Sequence, residues 1–317
     1  MIKRCLYCYE ELLDPEVDFH PSCSQNFFRK KSPPVFVYTE QQLIELAKQT
    51  INSRIAVTGV QPKLSLSLKQ LLEKNAPAKF TIVGLWGDYI LKLPSATYAE
   101  LPELEDVTMH MAELAKISTV PHTLFRLQSG QLAYVTKRID RSQECKLHME
   151  DMCQLSDRLT EHKYRGSYEQ IGKLIVKYSV HPGLDVVNFF EQVVFSFLTG
   201  NADMHLKNFS LLLTSEGYHL CPAYDLVPTA LVVKGDMEEL ALTLNGKKRK
   251  FKRDDFLTAM GQFKLDDKVI NNIFKKMQTA WPSWVSCINN SFLSDEMKSD
   301  YHQLIEARMQ QIGLTNQ

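Results

Sequence analysis

The hydrophobic period changes along this chain of 317 residues, and that change constrains the fold more than any other feature. From Ile55 to about residue 140 the apolar residues recur mainly at every second position. In VTGVQPKLSLSL, Leu64, Leu66 and Leu68 alternate with Ser65 and Ser67, the pattern of a half-buried strand. FTIVGLWGDYILKLPS predicts a strand, a glycine-containing turn and a second strand, and TLFRLQSGQLAYVTKRID predicts a hairpin turning at Ser129 and Gly130. One helix interrupts this region, ELEDVTMHMAELAKI, with Val107, Met111 and Leu114 on one face. Beyond about residue 145 the helical period dominates. MEDMCQLSDRL, SYEQIGKLIVKYS, VVNFFEQVVFSFLTG and SDEMKSDYHQLIEARMQQIG predict helices. They are broken by NADMHLKN and by two short strands, FSLLLT and YHLCPAYDL, joined by a turn at residues 215–217. The expected fold is α+β: a cysteine-rich segment over 1–31, a small strand-rich lobe over 32–144 and a larger helical lobe over 145–317. A cleft between two such lobes is a natural ligand site. RKKSPPVF, a basic run with two prolines, reads as the linker after the first segment. TEQQLIELAKQTINS follows as a helix with Thr39 as its N-cap.

Composition narrows the function classes. Lys plus Arg and Asp plus Glu both number 37, so the chain carries no general footprint for nucleic acid or a membrane surface. The basic run GKKRKFKR (246–253) reads as a solvated loop. The N-terminus lacks the apolar core of a signal peptide, and no stretch approaches the roughly 20 apolar residues of a membrane span. Seven scattered cysteines, an odd number, suit a reducing compartment better than a disulfide framework. The expectation is a cytoplasmic protein, with export to another cell left open.

The stretch LTGNADMHLKNFSLLL carries the most chemistry. Asp203 is followed by Asn208 five positions later, on a loop between a helix and a strand. Phosphoryl-transfer enzymes use this spacing because the carboxylate must face the attacking hydroxyl while the amide oxygen faces a magnesium ion. Asp225, in CPAYDL, lies 17 positions after Asn208 and supplies a second hard oxygen ligand of the kind Mg²⁺ takes. Lys92 sits inside the apolar strand YILKLP, where it would point into the cleft toward phosphate, and Glu105 in the next helix is its candidate ion-pair partner. The turn from Val57 to Lys63 is placed to lie over the phosphates, although it contains a single glycine. Taken singly, each residue has a plainer reading: Asp203 and Asn208 as caps, Lys92 as a snorkelling strand residue, Asp225 in a turn. The ordered set is what points to phosphotransfer. A small-molecule phosphotransferase, and a degenerate kinase that only docks partners, stand as alternatives.

At these residues the chain resembles the HipA family of toxin kinases. RIAVTGVQPKLSL, YILKLP, LPELED, VTKRIDR, MEDMCQ, LTGNADMHLKNFSLLL and CPAYDL carry the resemblance, which runs from about Ser53 to the C-terminus. It implies a two-lobed protein-kinase-like fold distantly related to lipid kinases, with ATP and Mg²⁺ as cofactors. It implies Ser/Thr phosphorylation of protein, with aminoacyl-tRNA synthetases as the substrate class. Carried over residue by residue, Lys92 would bind phosphate, Lys137 and Ile139 would meet adenine through their backbones, and Gln154 would line the pocket. Asp203 would be the catalytic base, with Asn208 and Asp225 as metal ligands. Thr58, Gly59 and Val60 in the phosphate loop, with His205 and Tyr224 beside the catalytic residues, complete the implied nucleotide site. Longer members begin with an extra subdomain of roughly a hundred residues. Only the cysteine-rich segment precedes the core here, which is similar to the short HipT type and implies antitoxin partners of HipB and HipS type. The family's autophosphorylated loop serine aligns with Ala56, which leaves Thr58 as the hydroxyl for that role; a phosphate there would add about −2 charge beside ATP.

Cys5-x-x-Cys8 followed by His20-x-x-Cys23 has the pairing and spacing of a zinc knuckle. The alternative is a compact cap whose small buried residues hold no metal. Cys145, Cys153, Cys221 and Cys287 have no partner spacing and read as buried thiols.

Overall fold

The computed structural model describes residues 3–314 apart from 37, 40, 44, 47–62, 70–77, 84–86 and 142–145. The expected phosphate loop, with Ala56, Thr58, Gly59 and Val60, and the thiol Cys145 lie outside the described residues. Two compact units emerge. The first comprises Met1–Asp106, Val120–Ile139 and Asn290–Phe292; the second comprises Val107–Thr119, Asp140–Asn289 and Leu293–Gln317. No helix among the described residues is long and apolar enough to cross a membrane.

The first unit is built on a six-stranded sheet of order β1-β3-β2-β4-β6-β5. Its strands are β1 (Val35–Phe36), β2 (Lys63–Lys69), β3 (Lys79–Ile82), β4 (Tyr89–Lys92), β5 (His122–Arg126) and β6 (Leu132–Lys137). β1 pairs with β3 in parallel and the other neighbours run antiparallel. The register fixes which residues share a face. Leu64 stands opposite Leu91 and Leu66 opposite Tyr89, while Leu91 stands opposite Val135. This apolar face meets the helix Pro21–Phe28: Phe28 packs edge-on against Phe80 and Phe125, and Phe27 lies 5.8 Å from the Tyr89 ring. The opposite face carries Ile90 and Lys92, with Tyr134 directly across from Lys92. The β5–β6 hairpin turns where expected, with Gly130 at φ +90°. Thr39, the expected N-cap, accepts from the Gln42 N–H, and the Gln42 side-chain oxygen accepts from the Thr39 N–H in return.

The second unit is mainly helical. Its central helix, Pro182–Leu198, buries Phe189, Phe190, Val193, Val194, Phe195, Phe197 and Leu198. Helices Tyr168–Tyr178, Arg253–Gly261 and Asp295–Gln311, and the helix Asp267–Asn290 up to Asn289, belong to the same unit. Trp284 is fully buried; its ring packs edge-on against Phe195 and its Nε1 donates to the Met111 carbonyl. A small sheet of order β7-β8-β9 joins them, with β7 at Met149–Asp151, β8 at Ser210–Thr214 and β9 at Gly217–Leu220.

Two elements differ from expectation. MEDMCQLSDRL is not one helix: Met149–Asp151 pairs with β8, and only Met152–Leu155 is helical. Asp151 decides the boundary, because its carboxylate caps the Gln154 N–H and fixes the helix start there. YHLCPAYDL is strand only to Leu220; Pro222 has no N–H to continue a ladder. Of the basic run, Lys247 pairs with Asp255 and Lys248 with Glu238, while Arg253 stacks over Phe274.

Burial titrates one carboxyl of the first unit. Glu103, in the first turn of the helix Leu101–Leu114, is pushed up to about 7 by burial, with Glu100 and Asp106 adding repulsion. A carboxyl that holds its proton more tightly when folded favours the fold at low pH. That contribution is lost as pH rises from the ordinary carboxylate range through about 7. Thermal melts should therefore show Glu103→Gln raising the Tm at about pH 8 and leaving it nearly unchanged at about pH 4. An equal shift at both pH values contradicts this reading.

Candidate active site

The loop that follows the central helix lies in the second unit and has little regular structure, so its polar groups need other partners. Gly200 opens it at φ +72°. A Cβ there would sit 2.6 Å from Leu304 Cδ2 and 3.0 Å from Ala230 Cβ, so both conformation and space select glycine. Asn201 Oδ1 accepts from the Asp203 N–H, and the Asp203 carbonyl accepts from the His205 N–H at 2.7 Å. The same carbonyl accepts from Asn208 Nδ2 at 3.0 Å. The amino side of the Asn208 amide is therefore held inward and Oδ1 is turned away from that bond. The half-buried Asp203 carboxylate accepts from the Tyr164 hydroxyl.

His205 braces this loop. Its Nδ1 accepts from the Lys207 N–H at 3.3 Å and its ring meets Tyr164 edge-on at 5.0 Å. Burial pushes it down to about 4 despite the Asp203 charge, so the imidazole is neutral near pH 7 and acts as an acceptor within the loop. Lys207 reaches Asp151 at 2.6 Å.

Asp225 has φ +56°, a left-handed conformation uncommon for a side chain other than glycine. Such conformations cost on the order of 1–3 kcal/mol and persist where surroundings over-determine them. Those surroundings are visible. The Tyr224 hydroxyl donates to the Lys207 carbonyl at 3.1 Å and meets Ser210 Oγ at 2.6 Å. The Ala223 N–H donates to the Ser118 carbonyl, and Thr229 Oγ1 accepts from the Ala202 N–H. Ala230 N–H closes on the Gly200 carbonyl. These bonds bring the segments carrying Asp203, Asn208 and Asp225 into one hydrogen-bonded frame.

In the first unit, Lys92 ends β4, whose neighbours on both sides are strands of the sheet. Its Nζ lies 2.6 Å from Glu105 Oε1 and 5.4 Å from the Tyr134 ring centroid. Lys92 is 6% exposed and Glu105 1%, so the buried Glu105 carboxylate draws its compensation from Lys92. Glu105 Oε2 has no hydrogen-bond partner among the described residues, which leaves one buried acceptor site toward a further polar group.

Other expected residues are placed less directly. The Lys137 ammonium lies 5.0 Å over the Phe27 ring and its backbone N–H donates to the Pro121 carbonyl; burial pushes that lysine down, helped by Arg29. Ile139 lies in the turn after β6. Gln154 is exposed, and its side-chain oxygen accepts from the Asp151 N–H. Cys5, Cys8, His20 and Cys23 come together in the first unit, with donor atoms all within 4.8 Å of one another. Tyr164, the Lys207–Asp151 pair and the Thr229 hydroxyl were not anticipated. Lys207 and Asp151 stand inside quoted motifs without an assigned role, while Tyr164 and Thr229 stand outside them, 39 residues separating Tyr164 from Asp203.

The donor set fits the groups a phosphotransferase holds. One amide oxygen and one carboxylate on a tied frame are hard ligands suited to Mg²⁺, which takes few protein ligands and keeps several waters. A buried lysine held by a glutamate suits phosphate.

Comparison with known proteins places the chain in a family. The family model described as HipA-like C-terminal domain matches residues 55–285. The candidate kinase Y4dM of Sinorhizobium fredii is 31% identical over 248 residues, 73% of this chain and 58% of that protein. The serine/threonine-protein kinase toxin HipA of Shewanella oneidensis is 26% identical over 195 residues, 55% of this chain and 43% of that protein. The chain thus spans about half the length of the curated relatives it matches. Among solved structures, a chain in the Shewanella oneidensis complex of HipA, HipB and operator DNA superposes with a TM-score of 0.66 at 21% identity, covering 82% of this chain and 65% of that one. The Helicobacter pylori proinflammatory kinase CtkA gives a TM-score of 0.54 at 18% identity, covering 73% and 90%. The fold is the α+β kinase-like fold of these proteins, and the chain belongs to the HipA-like C-terminal domain family.

Proposed function

We propose that this chain is an ATP- and Mg²⁺-dependent Ser/Thr protein kinase acting as the toxin of a toxin–antitoxin system, closest to the short HipT type. One observation carries the reading: Asn208 is pinned through Nδ2 to the Asp203 carbonyl while Tyr224 and Thr229 tie the segment of left-handed Asp225 to the same loop. Two oxygen donors and a carboxylate base are thereby fixed relative to one another before any ligand arrives, which is what electrostatic catalysis requires. When bound, Mg²⁺-ATP supplies the phosphoryl group and neutralises its charge. Asp203 orients the acceptor hydroxyl and takes its proton, and Tyr164 holds the carboxylate for that task. Asn208 and Asp225 present the metal ligands, and Lys92, steadied by Glu105, binds phosphate. His205 stays neutral and keeps the loop in shape.

The relatives' names support the finer reading. One is a serine/threonine-protein kinase toxin, and one solved neighbour is seen with HipB and operator DNA. The family resemblance of the sequence adds the rest of the proposal: an aminoacyl-tRNA synthetase as substrate, antitoxins of HipB and HipS type as partners, and the cytoplasm as the site of action. Thr58, outside the described residues, is the proposed autophosphorylation site.

Two outcomes test the catalytic assignment. Asp203→Ala should lower phosphate transfer by about 10²-fold or more while leaving the Tm nearly unchanged. Quantitative phosphoproteomics of cells expressing either chain should show modified protein with the parent alone; equal phosphorylation with both removes Asp203 from the mechanism. Lys92→Met should destabilise by roughly 3–5 kcal/mol, because it leaves a buried Glu105 uncompensated. Adding Glu105→Gln should recover much of that loss without restoring ATP binding. Chemical denaturation measures both, and a lone Lys92→Met that melts like the parent contradicts the buried-pair account.

A further inference from the structure

The N-terminal segment contains a metal-ligand cluster that the proposed phosphotransfer does not use. Arg4 and Glu11 bridge a short hairpin, with Cys5 N–H donating to the Glu10 carbonyl and Leu12 N–H to the Lys3 carbonyl. The Tyr9 N–H closes back on the Cys5 carbonyl, and Tyr9 itself is left-handed at φ +63°. This tight turn sets Cys5 and Cys8 on one tip. The other pair comes from the helix Pro21–Phe28: His20 is its N-cap and Cys23 lies in its first turn.

The spacing of the four donor atoms matches a single tetrahedral centre. Zinc bonds of about 2.3 Å to sulfur and 2.0–2.1 Å to nitrogen, at the tetrahedral angle, separate sulfur from nitrogen by about 3.6 Å. Here His20 Nδ1 lies 3.5 Å from Cys8 Sγ and 3.7 Å from Cys23 Sγ. All four donors fall within 4.8 Å of one another. The imidazole is also set for the task. His20 Nε2 lies 3.1 Å from the Glu11 carbonyl, which can only accept, so Nε2 carries the proton and Nδ1 turns its lone pair to the sulfurs. Cys5 and Cys23 are buried, while Cys8 and His20 are half-buried, so the four protein ligands close the site.

We propose that Cys5, Cys8, His20 and Cys23 bind one structural Zn²⁺, with three thiols releasing their protons as the metal enters. Its place in the fold explains the need. The same helix presents Phe27 and Phe28 to the sheet face carrying Tyr89 and Phe80. The Tyr9 hydroxyl donates to Asp106 Oδ2 at 2.7 Å, and Asp106 Oδ1 pairs with His122 Nδ1. Asp106 is the neighbour of Glu105, so the knuckle supports the turn of helix that holds Lys92.

The test uses the full chain purified under reducing conditions without chelator. Elemental analysis should find about one zinc per chain, also in Asp203→Ala, so the outcome is independent of kinase activity. Cobalt exchanged into the parent chain should give the visible absorption of tetrahedral thiolate-bound Co²⁺, a readout that needs no variant to fold. Cys8→Ala should lose both signals. A parent chain that carries no zinc, takes up none on titration and gives no cobalt–thiolate absorption overturns the site.

Discussion

Buried backbone without a regular ladder must find its hydrogen bonds elsewhere, and the stretch from Gly200 to Asn208 depends on meeting that demand. Its partners are specific: the Asn201 amide, the His205 ring, the Tyr224 hydroxyl and the Thr229 hydroxyl. Because the last two flank Asp225, satisfying the loop also fixes the strained residue that follows it. The carboxylates of Asp203 and Asp225 and the amide of Asn208 are thus carried by segments tied through the same bonds that satisfy the loop. A polar network of this kind is costly when partly satisfied, which explains why its members include residues remote from the chemistry.

The residues proposed for phosphotransfer stood out in the sequence because that chemistry would dictate type and spacing together. Asp203 and Asn208 are five apart on a loop, and Lys92 is the polar exception in an apolar strand. Periodicity likewise revealed β2, the β5–β6 hairpin and the central helix, whose sequences carry a single uncontested pattern. It failed at residues 149–155, where helical spacing continues through Asp151 although that side chain caps rather than extends. It failed again after Leu220, where alternation runs on into Pro222. Tyr164 was not legible at all: its hydroxyl reaches Asp203 only because the helices on either side of it pack as they do, and no local pattern encodes that.

Each unit carries its own electrostatic logic. In the first, buried Glu105 is compensated by Lys92, and adjacent Asp106 is satisfied by Tyr9 from the cysteine segment and His122 from β5. The segment that precedes the family match therefore contributes to holding the turn of helix that carries Glu105, the partner of Lys92. In the second, oxygen donors gather on a hydrogen-bonded frame with His205 kept uncharged by burial. The chain also spans only part of its relatives' length, so the contribution of the cysteine segment is a property of this chain to be measured on its own.

The central claim is that Asn208 and Asp225 hold a metal through which nucleotide is bound. Calorimetric titration with a non-hydrolysable ATP analogue, in Mg²⁺ and then in EDTA, tests it most directly. The account predicts tight binding that requires Mg²⁺ in the parent chain and a metal dependence that disappears in Asp225→Ala. Nucleotide binding of equal affinity with and without Mg²⁺, or a parent chain that binds no nucleotide under either condition, would contradict it.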